Sequence, residues 1–177
     1  LESLGLVKIM ERFDISFIDE ESKGFTKLKI LKIEYVQIDV KKILTKCCNT
    51  LEYLVLESGK WHFDEFGFDS GIWHLEDLEK ELPNLINLYV KVNKNLPVDS
   101  VRNLLTKCSG SLRTLRFHSG VTFDLSSLLK QTIKTTTLEF DCRSSVDGLE
   151  ILLSKCPLVQ KLSIKHYDKE VKDFVLK

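Results

Sequence analysis

The sequence predicts an α/β solenoid of about seven irregular repeats, with a curved parallel β-sheet on the concave side and short helices on the convex side. Two observations lead to this prediction. An apolar triplet recurs at nearly regular spacing, and segments with helical periodicity precede three of its copies. Residues 1–177 are therefore expected to form a single elongated domain in which neighbouring repeats share one core.

The recurring triplet has the spacing L-x-x-L-x-L, which is typical of leucine-rich repeats. Its seven copies begin at Leu1, Leu28, Leu51, Leu85, Leu112, Thr135 and Val159. The copies are separated by 27, 23, 34, 27, 23 and 24 residues, against about 20 to 29 for this repeat class. In a strand, the last two apolar positions of each triplet point to one face and the residues between and beside them to the other. The leucines are thus predicted to face the core.

Helical segments are predicted from apolar residues at positions i, i+3, i+4 and i+7. The three sets are Val40, Ile43, Leu44 and Cys47; Val101, Leu104, Leu105 and Cys108; and Leu149, Leu152, Leu153 and Cys156. An aspartate stands near the start of each segment, at Asp39, Asp99 and Asp147. A carboxylate there is expected to accept hydrogen bonds from the backbone of the first helical turn.

A Lys-Cys pair ends each predicted helix, and metal binding, redox chemistry or packing could each explain it. The five cysteines include no CxxC pair, so the pattern is poor for zinc or for a set of disulfides. One intervening unit has Leu82 at the equivalent position, a replacement that packing tolerates and coordination does not. The thiols are therefore predicted to be reduced core residues of a cytoplasmic or nuclear protein, with no metal or other cofactor.

Composition limits the remaining function classes. The 26 basic residues balance the 26 acidic ones, so no general attraction to nucleic acid or to an anionic membrane is expected. No apolar run approaches the roughly 20 residues that span a bilayer. The histidines of the 62–74 stretch, with their acidic neighbours, match no catalytic or metal-ligand spacing, and the chain is not expected to be an enzyme.

The stretch LLSKCPLVQKLSI, which begins at Leu152, resembles the L-L-x-x-C-P-x-L-x-x-L-x-L pattern of F-box/leucine-rich-repeat proteins. At the level of repeats, the resemblance covers essentially the whole chain. It implies the substrate-recognition arm of an F-box ubiquitin ligase, linked to the Skp-cullin machinery by a separate F-box. No such helical F-box segment is visible in the sequence. Because the first and last units lack obvious polar caps, we expect more chain, or a partner, beyond one or both ends, so that residues 1–177 would be a fragment of a longer chain. A stand-alone leucine-rich-repeat binding, scaffold or inhibitory protein is the alternative.

The outward positions of the predicted strands form the candidate protein-binding face on the concave side. These positions are Tyr53, Val55, Glu57, Asn87, Tyr89, Lys91, Thr114, Arg116, His118, Glu139 and Asp141. Tyrosine and arginine are enriched among interface hot spots, which favours Tyr53, Tyr89 and Arg116 as contacts. A solvated face with scattered aromatic residues is the alternative.

The 34-residue unit contains an aromatic insert between the third and fourth triplets. Its candidate contact residues are Trp61, Phe66, Phe68 and Trp73. Long loops in compact repeat arrays are often functional, and clustered aromatic rings can anchor a partner. The same rings could instead pack inward as a local core, and the sequence leaves both possibilities open.

Overall fold

The computed structural model describes residues 2–7, 23–34, 39–57, 75–92, 98–119, 127–141 and 146–165. Within these ranges the chain forms a seven-stranded, all-parallel sheet whose strands follow one another in chain order. The strands are β1 (Ser3–Val7), β2 (Ile30–Glu34), β3 (Tyr53–Glu57), β4 (Asn87–Val92), β5 (Thr114–Ser119), β6 (Thr137–Asp141) and β7 (Lys161–Lys165). The predicted α/β class is confirmed, and the sequential parallel order is consistent with a solenoid-like arrangement.

Helices occupy several of the connections between strands. They are a 3-10 helix at Lys23–Lys27 and the α-helices α1 (Val40–Cys47), α2 (Val98–Cys108) and α3 (Val146–Ser154). No helix in the described part of the chain is long and apolar enough to cross a membrane.

Equivalent positions of the predicted triplets lie side by side in the sheet. Leu54 of β3 pairs with Leu31 of β2 and with Leu88 of β4, and the same offset continues through β5, β6 and β7. Because side chains alternate between the two faces of a strand, a constant register collects the apolar residues into continuous rows. The prediction that these triplet residues share one face of a sheet is confirmed.

One hydrophobic core joins the sheet to the helices. It contains the inward strand residues and the predicted apolar stripes of α1 and α2, from Val40 to Cys47 and from Val101 to Cys108. The third stripe differs from the prediction, because α3 ends at Ser154 and the buried Cys156 lies beyond it. Pro157 follows immediately, and the residue before a proline is disfavoured in helical conformation, which accounts for the early end.

Within the described residues, segments with and without an α-helix alternate between the strands from β2 to β7. An α-helix follows β2, β4 and β6, whereas the described residues leading into β4 (75–86) and β6 (127–136) contain no α-helix. The non-helical segments still bury apolar side chains such as Leu78 and Ile133. The Lys-Cys pairs all belong to the helical connections, so their recurrence marks every second unit.

The predicted helix caps have different outcomes. Asp39 caps α1, since its side chain accepts a hydrogen bond from the Lys42 backbone N–H at 3.0 Å. The prediction for Asp99 is wrong. Asp99 lies inside the first turn of α2, after Val98, and its carboxylate pairs with the Arg102 guanidinium. The side chain of Asp147 is outside the described part of the structure.

Candidate protein-binding face

The candidate binding residues lie together on the sheet face opposite the core, which we call the open sheet face. Strand register arranges its side chains in three rows that cross the strands. The amino-end row is Ile30, Tyr53, Asn87, Thr114, Thr137 and Lys161; the central row is Lys32, Val55, Tyr89, Arg116, Glu139 and Ser163; the carboxyl-end row is Glu34, Glu57, Lys91, His118, Asp141 and Lys165. The structure therefore brings the predicted strand residues into one surface.

The central row contains an ion pair and one buried residue. Arg116 Nε lies 3.0 Å from Glu139 Oε2 on the next strand, and the two side chains are 49% and 31% exposed. Val55 was predicted to be exposed, but it is only 4% exposed. It is short and stands between the longer side chains of Lys32 and Tyr89 on the flanking strands, which is the reason we assign to its burial.

On β3 to β6, the ionisable side chains of the carboxyl-end row are paired with one another. Lys91 Nζ donates to Glu57 Oε2 at 3.2 Å, and His118 Nδ1 lies 2.8 Å from Asp141 Oδ2. Both contacts join adjacent strands, so they follow from the register. Together with the Arg116–Glu139 pair, these contacts give every ionisable side chain of β3 to β6 on this face a partner on an adjacent strand.

A further ion pair connects two rows on β2. The Lys32 ammonium donates a hydrogen bond to the Glu34 carboxylate, two residues along the same strand. This hydrogen bond, more than the coulombic effect of nearby acids, raises the pKa of Lys32 above its ordinary value. Lys32 therefore stays charged and engaged with Glu34 at neutral pH.

The amino-end row differs from the other two because its members on β3 to β6 are neutral. Tyr53, Asn87, Thr114 and Thr137 are all partly exposed. None of their side chains has a hydrogen bond within the described part of the chain. Ile30 extends the row onto β2 and is 44% exposed.

The aromatic insert residues Trp61, Phe66, Phe68 and Trp73 lie outside the described residues, as do His62 and His74. The structure does describe the segment that follows them, which is attached to α2. Ser100 Oγ accepts a hydrogen bond from Leu75 N at 3.0 Å. Asn103 Nδ2 donates to the carbonyl oxygens of Leu75 at 2.6 Å and of Leu78 at 3.1 Å.

This attachment to α2 was not predicted from the sequence. Ser100 and Asn103 lie three residues apart on one helix, which places them on the same side, and this spacing was the available indication. Ser100 is fully buried and also donates to Glu76 Oε2 at 2.5 Å. Together the two side chains hold the residues after the insert at a defined place on the helical side of the sheet.

The recurrent cysteines pack as predicted. Cys47 Sγ donates to Ile43 O at 3.3 Å, and Cys108 Sγ donates to Leu104 O at 3.2 Å, each within its own helix. Burial raises the pKa of Cys47, Cys108 and Cys156 to about 12. A thiol with so high a pKa is neutral at physiological pH and is a poor nucleophile or metal ligand.

Metal ligation was the competing explanation for the cysteines. Among the described residues, no group of three or more His, Cys, Asp or Glu side chains is arranged to hold a metal ion. Cys142 lies outside the described residues.

The chain is thus an all-parallel α/β protein with one sheet face covered by the core and the other open to solvent. Comparisons with known proteins add nothing to this assignment. No protein-family model matches the sequence, and no curated protein or solved structure is significantly similar to the chain.

Proposed function

We propose that the chain is a leucine-rich-repeat interaction module that binds a protein through its open sheet face. One observation carries the proposal. Partly exposed side chains of Tyr53, Asn87 and Thr114 on three consecutive strands, with Tyr89 and Arg116 in the next row, form one continuous surface. In curved repeat arrays, the corresponding strand surface is concave and is a common site of partner binding.

Residue types on this face support a protein ligand. Tyr53 and Tyr89 offer large amphipathic rings, and tyrosine is enriched among the residues that supply most of the binding energy in protein interfaces. Both signs of charge occur side by side, as in the Lys91 and Glu57 pair, which disfavours a polyanion such as nucleic acid. The specific form that we propose is the substrate-recognition arm of an F-box-type ubiquitin ligase in the cytoplasm or nucleus. Its support is the repeat pattern around Cys156.

Affinity purification of the tagged full-length protein, followed by mass spectrometry, tests the proposal. The face variant is Tyr53→Ala/Tyr89→Ala/Arg116→Ala. A matched control, Glu150→Ala/Ile151→Ala, changes two exposed residues of α3 on the helical side. Binding through the open sheet face predicts that partners are lost with the face variant and kept with the control. Recovery of the same partners with both variants would show that the face is not the binding site.

Recovery of Skp and cullin subunits distinguishes the ligase form from a stand-alone binding protein. If the full-length protein forms a stable complex through the open sheet face without Skp or cullin, the interaction module stands and the ligase assignment is wrong. If Skp and cullin are recovered with both the wild type and the face variant, and a further partner is recovered with the wild type but not with the face variant, the ligase form is supported.

A further inference from the structure

We infer that the amino-end row, and not the charged rows, is the line of recognition on the open sheet face, and that its ligand is a protein segment of low net charge. The inference rests on the proposed function and specifies the chemistry of the partner. It is carried by a contrast within one face. On this face, the side chains of Tyr53, Asn87, Thr114 and Thr137 have no hydrogen bond in the described chain, while the ionisable side chains of β3 to β6 are paired.

The four side chains without an internal hydrogen bond form one continuous series across the sheet. Tyr53, Asn87, Thr114 and Thr137 occupy the same register position on four consecutive strands. Neighbouring strands lie about 4.8 Å apart, so the four side chains span roughly 14 Å across the sheet. The asparagine amide can donate and accept, and so can each hydroxyl. A ligand can therefore form several hydrogen bonds with this row without breaking a hydrogen bond inside the described chain.

The charged groups are in the opposite situation. Arg116 is paired with Glu139, Lys91 with Glu57, and His118 with Asp141. A charged ligand that engaged one member of a pair would leave the other member without its partner, and the two effects oppose each other. These pairs are consequently suited to excluding wrong ligands and holding the face in shape, and contribute little net affinity.

Apolar surface accompanies the neutral row. Ile30 lies beside Tyr53 in the row and is 44% exposed. An exposed apolar side chain next to a tyrosine forms a small contact area whose burial favours binding. An aliphatic or aromatic side chain of the ligand fits this end of the row.

These features select a protein segment over a charged macromolecule. A polypeptide backbone presents neutral N–H and C=O groups that match the amide and hydroxyl groups of the row. Nucleic acids and anionic membranes carry dense negative charge, and on β3 to β6 the carboxylates of Glu57, Glu139 and Asp141 offset the basic groups, so the face has no excess positive charge to attract them.

Selection from a random dodecapeptide phage library on the immobilised protein tests the inference, followed by affinity measurements with the enriched synthetic peptides. We compare Asn87→Ala/Thr114→Val, which removes hydrogen-bonding groups from the row, with Glu57→Gln/Lys91→Met, which neutralises a charged pair at similar size. The expected peptides have little net charge and an apolar residue. Their affinity falls roughly tenfold or more in the first variant and less than about threefold in the second. Raising the salt from about 0.05 M to about 0.3 M changes their affinity less than about threefold.

Two other outcomes separate failure of the inference from failure of the proposed function. Strongly charged peptides that lose affinity in salt and in the Glu57→Gln/Lys91→Met variant would overturn the inference and leave protein binding by this face intact. Two results would overturn the inference and the proposed function together. In the first, the peptides bind the two variants and the Tyr53→Ala/Tyr89→Ala/Arg116→Ala variant as tightly as wild type. In the second, no peptide is enriched over an unrelated immobilised protein. Thermal unfolding of each variant verifies that it is folded.

Discussion

Arg116 Nε on β5 and Glu139 Oε2 on β6 lie 3.0 Å apart, across two neighbouring strands of the open sheet face. Arginine in an exposed position is a natural choice for an interface hot spot when only the sequence is known. Here the arginine already has an internal partner. A ligand must compete with that partner, and the residue type alone therefore overstates what Arg116 contributes to binding.

A double-mutant cycle on this pair should give a small coupling energy. The free energy of unfolding is measured by urea denaturation for the wild type, Arg116→Ala, Glu139→Ala and the double variant. We expect a coupling energy between the two side chains of about 0.2 to 1 kcal/mol. The value is small because both side chains are partly exposed and water screens the interaction. A coupling above about 2 kcal/mol would show that the pair is far better shielded than its exposure indicates.

Asp39 and Asp99 provide a matched pair for testing helix capping. Asp39→Ala removes the acceptor for the Lys42 N–H at the start of α1, and should lower the free energy of unfolding by about 1 kcal/mol. Asp99→Ala removes a side-chain contact with Arg102 and an acidic group from the first turn of α2, and should cost less, about 0.5 kcal/mol. Urea denaturation of both variants checks this order. A loss in Asp39→Ala no larger than that expected for Asp99→Ala would mean that the Asp39 hydrogen bond does not stabilise α1.

Ser100→Ala should destabilise the attachment of the segment after the insert. The Leu75 N–H loses its acceptor in a buried place, which costs about 1 to 3 kcal/mol. Ser154→Ala is the control, since its hydroxyl donates locally to Ile151 O and is exposed. Amide hydrogen exchange at Leu75 should accelerate in the first variant only. Unchanged protection at Leu75 would contradict the proposed anchoring role of Ser100.

Because its thiols are buried, we expect the protein to lose stability at alkaline pH. Burial raises the pKa of Cys108 from the ordinary 9.0 to about 12, so the folded state keeps a proton that the unfolded state releases. The contribution of this pKa difference to the free energy of unfolding is fully present below about pH 9, and it is lost as the pH rises towards about 12.

A Cys108→Ala variant isolates this contribution, because it removes the titrating group while the other ionisable residues remain. Between about pH 8 and about pH 10, the free energy of unfolding should fall by roughly 1 kcal/mol more in the wild type than in the variant. The comparison uses the slopes with pH, since the variant also loses packing at every pH. Parallel pH profiles would be incompatible with a strongly raised pKa at Cys108.

Much of the strand and helix pattern could be predicted because it depends on local periodicity. Leu54 and Leu56 are two residues apart in a strand, which by itself puts them on one face, and Ile43 and Leu44 follow Val40 at helical spacing. Cap assignment was less secure. Asp39 and Asp99 look equivalent in the sequence, but α2 begins one residue before Asp99, so the carboxylate of Asp99 is not placed to cap the first turn.

The positions that form the candidate binding face could be predicted from the sequence. Which of their side chains make ion pairs or hydrogen bonds with one another could not. Outward orientation of Tyr89 or Arg116 follows from alternation along one strand. The partners of Lys91 and His118 depend on which residues stand opposite on the neighbouring strands, and Val55 is buried although it points outward. The roles proposed for Trp61, Phe66, Phe68 and Trp73 remain predictions.

The sequence by itself determined the repeating triplets, the three helices and the inward placement of Cys47, Cys108 and Cys156, because these features follow from spacing within a single unit. Only the tertiary structure decided that Ser100 and Asn103 hold residues 75–78. It also decided that the ionisable side chains of β3 to β6 pair across strands on the open sheet face, while Tyr53, Asn87, Thr114 and Thr137 have no side-chain hydrogen bond in the described chain. The physical reason is that these contacts join side chains more than twenty residues apart, and their distances are set by the stacking and register of neighbouring units.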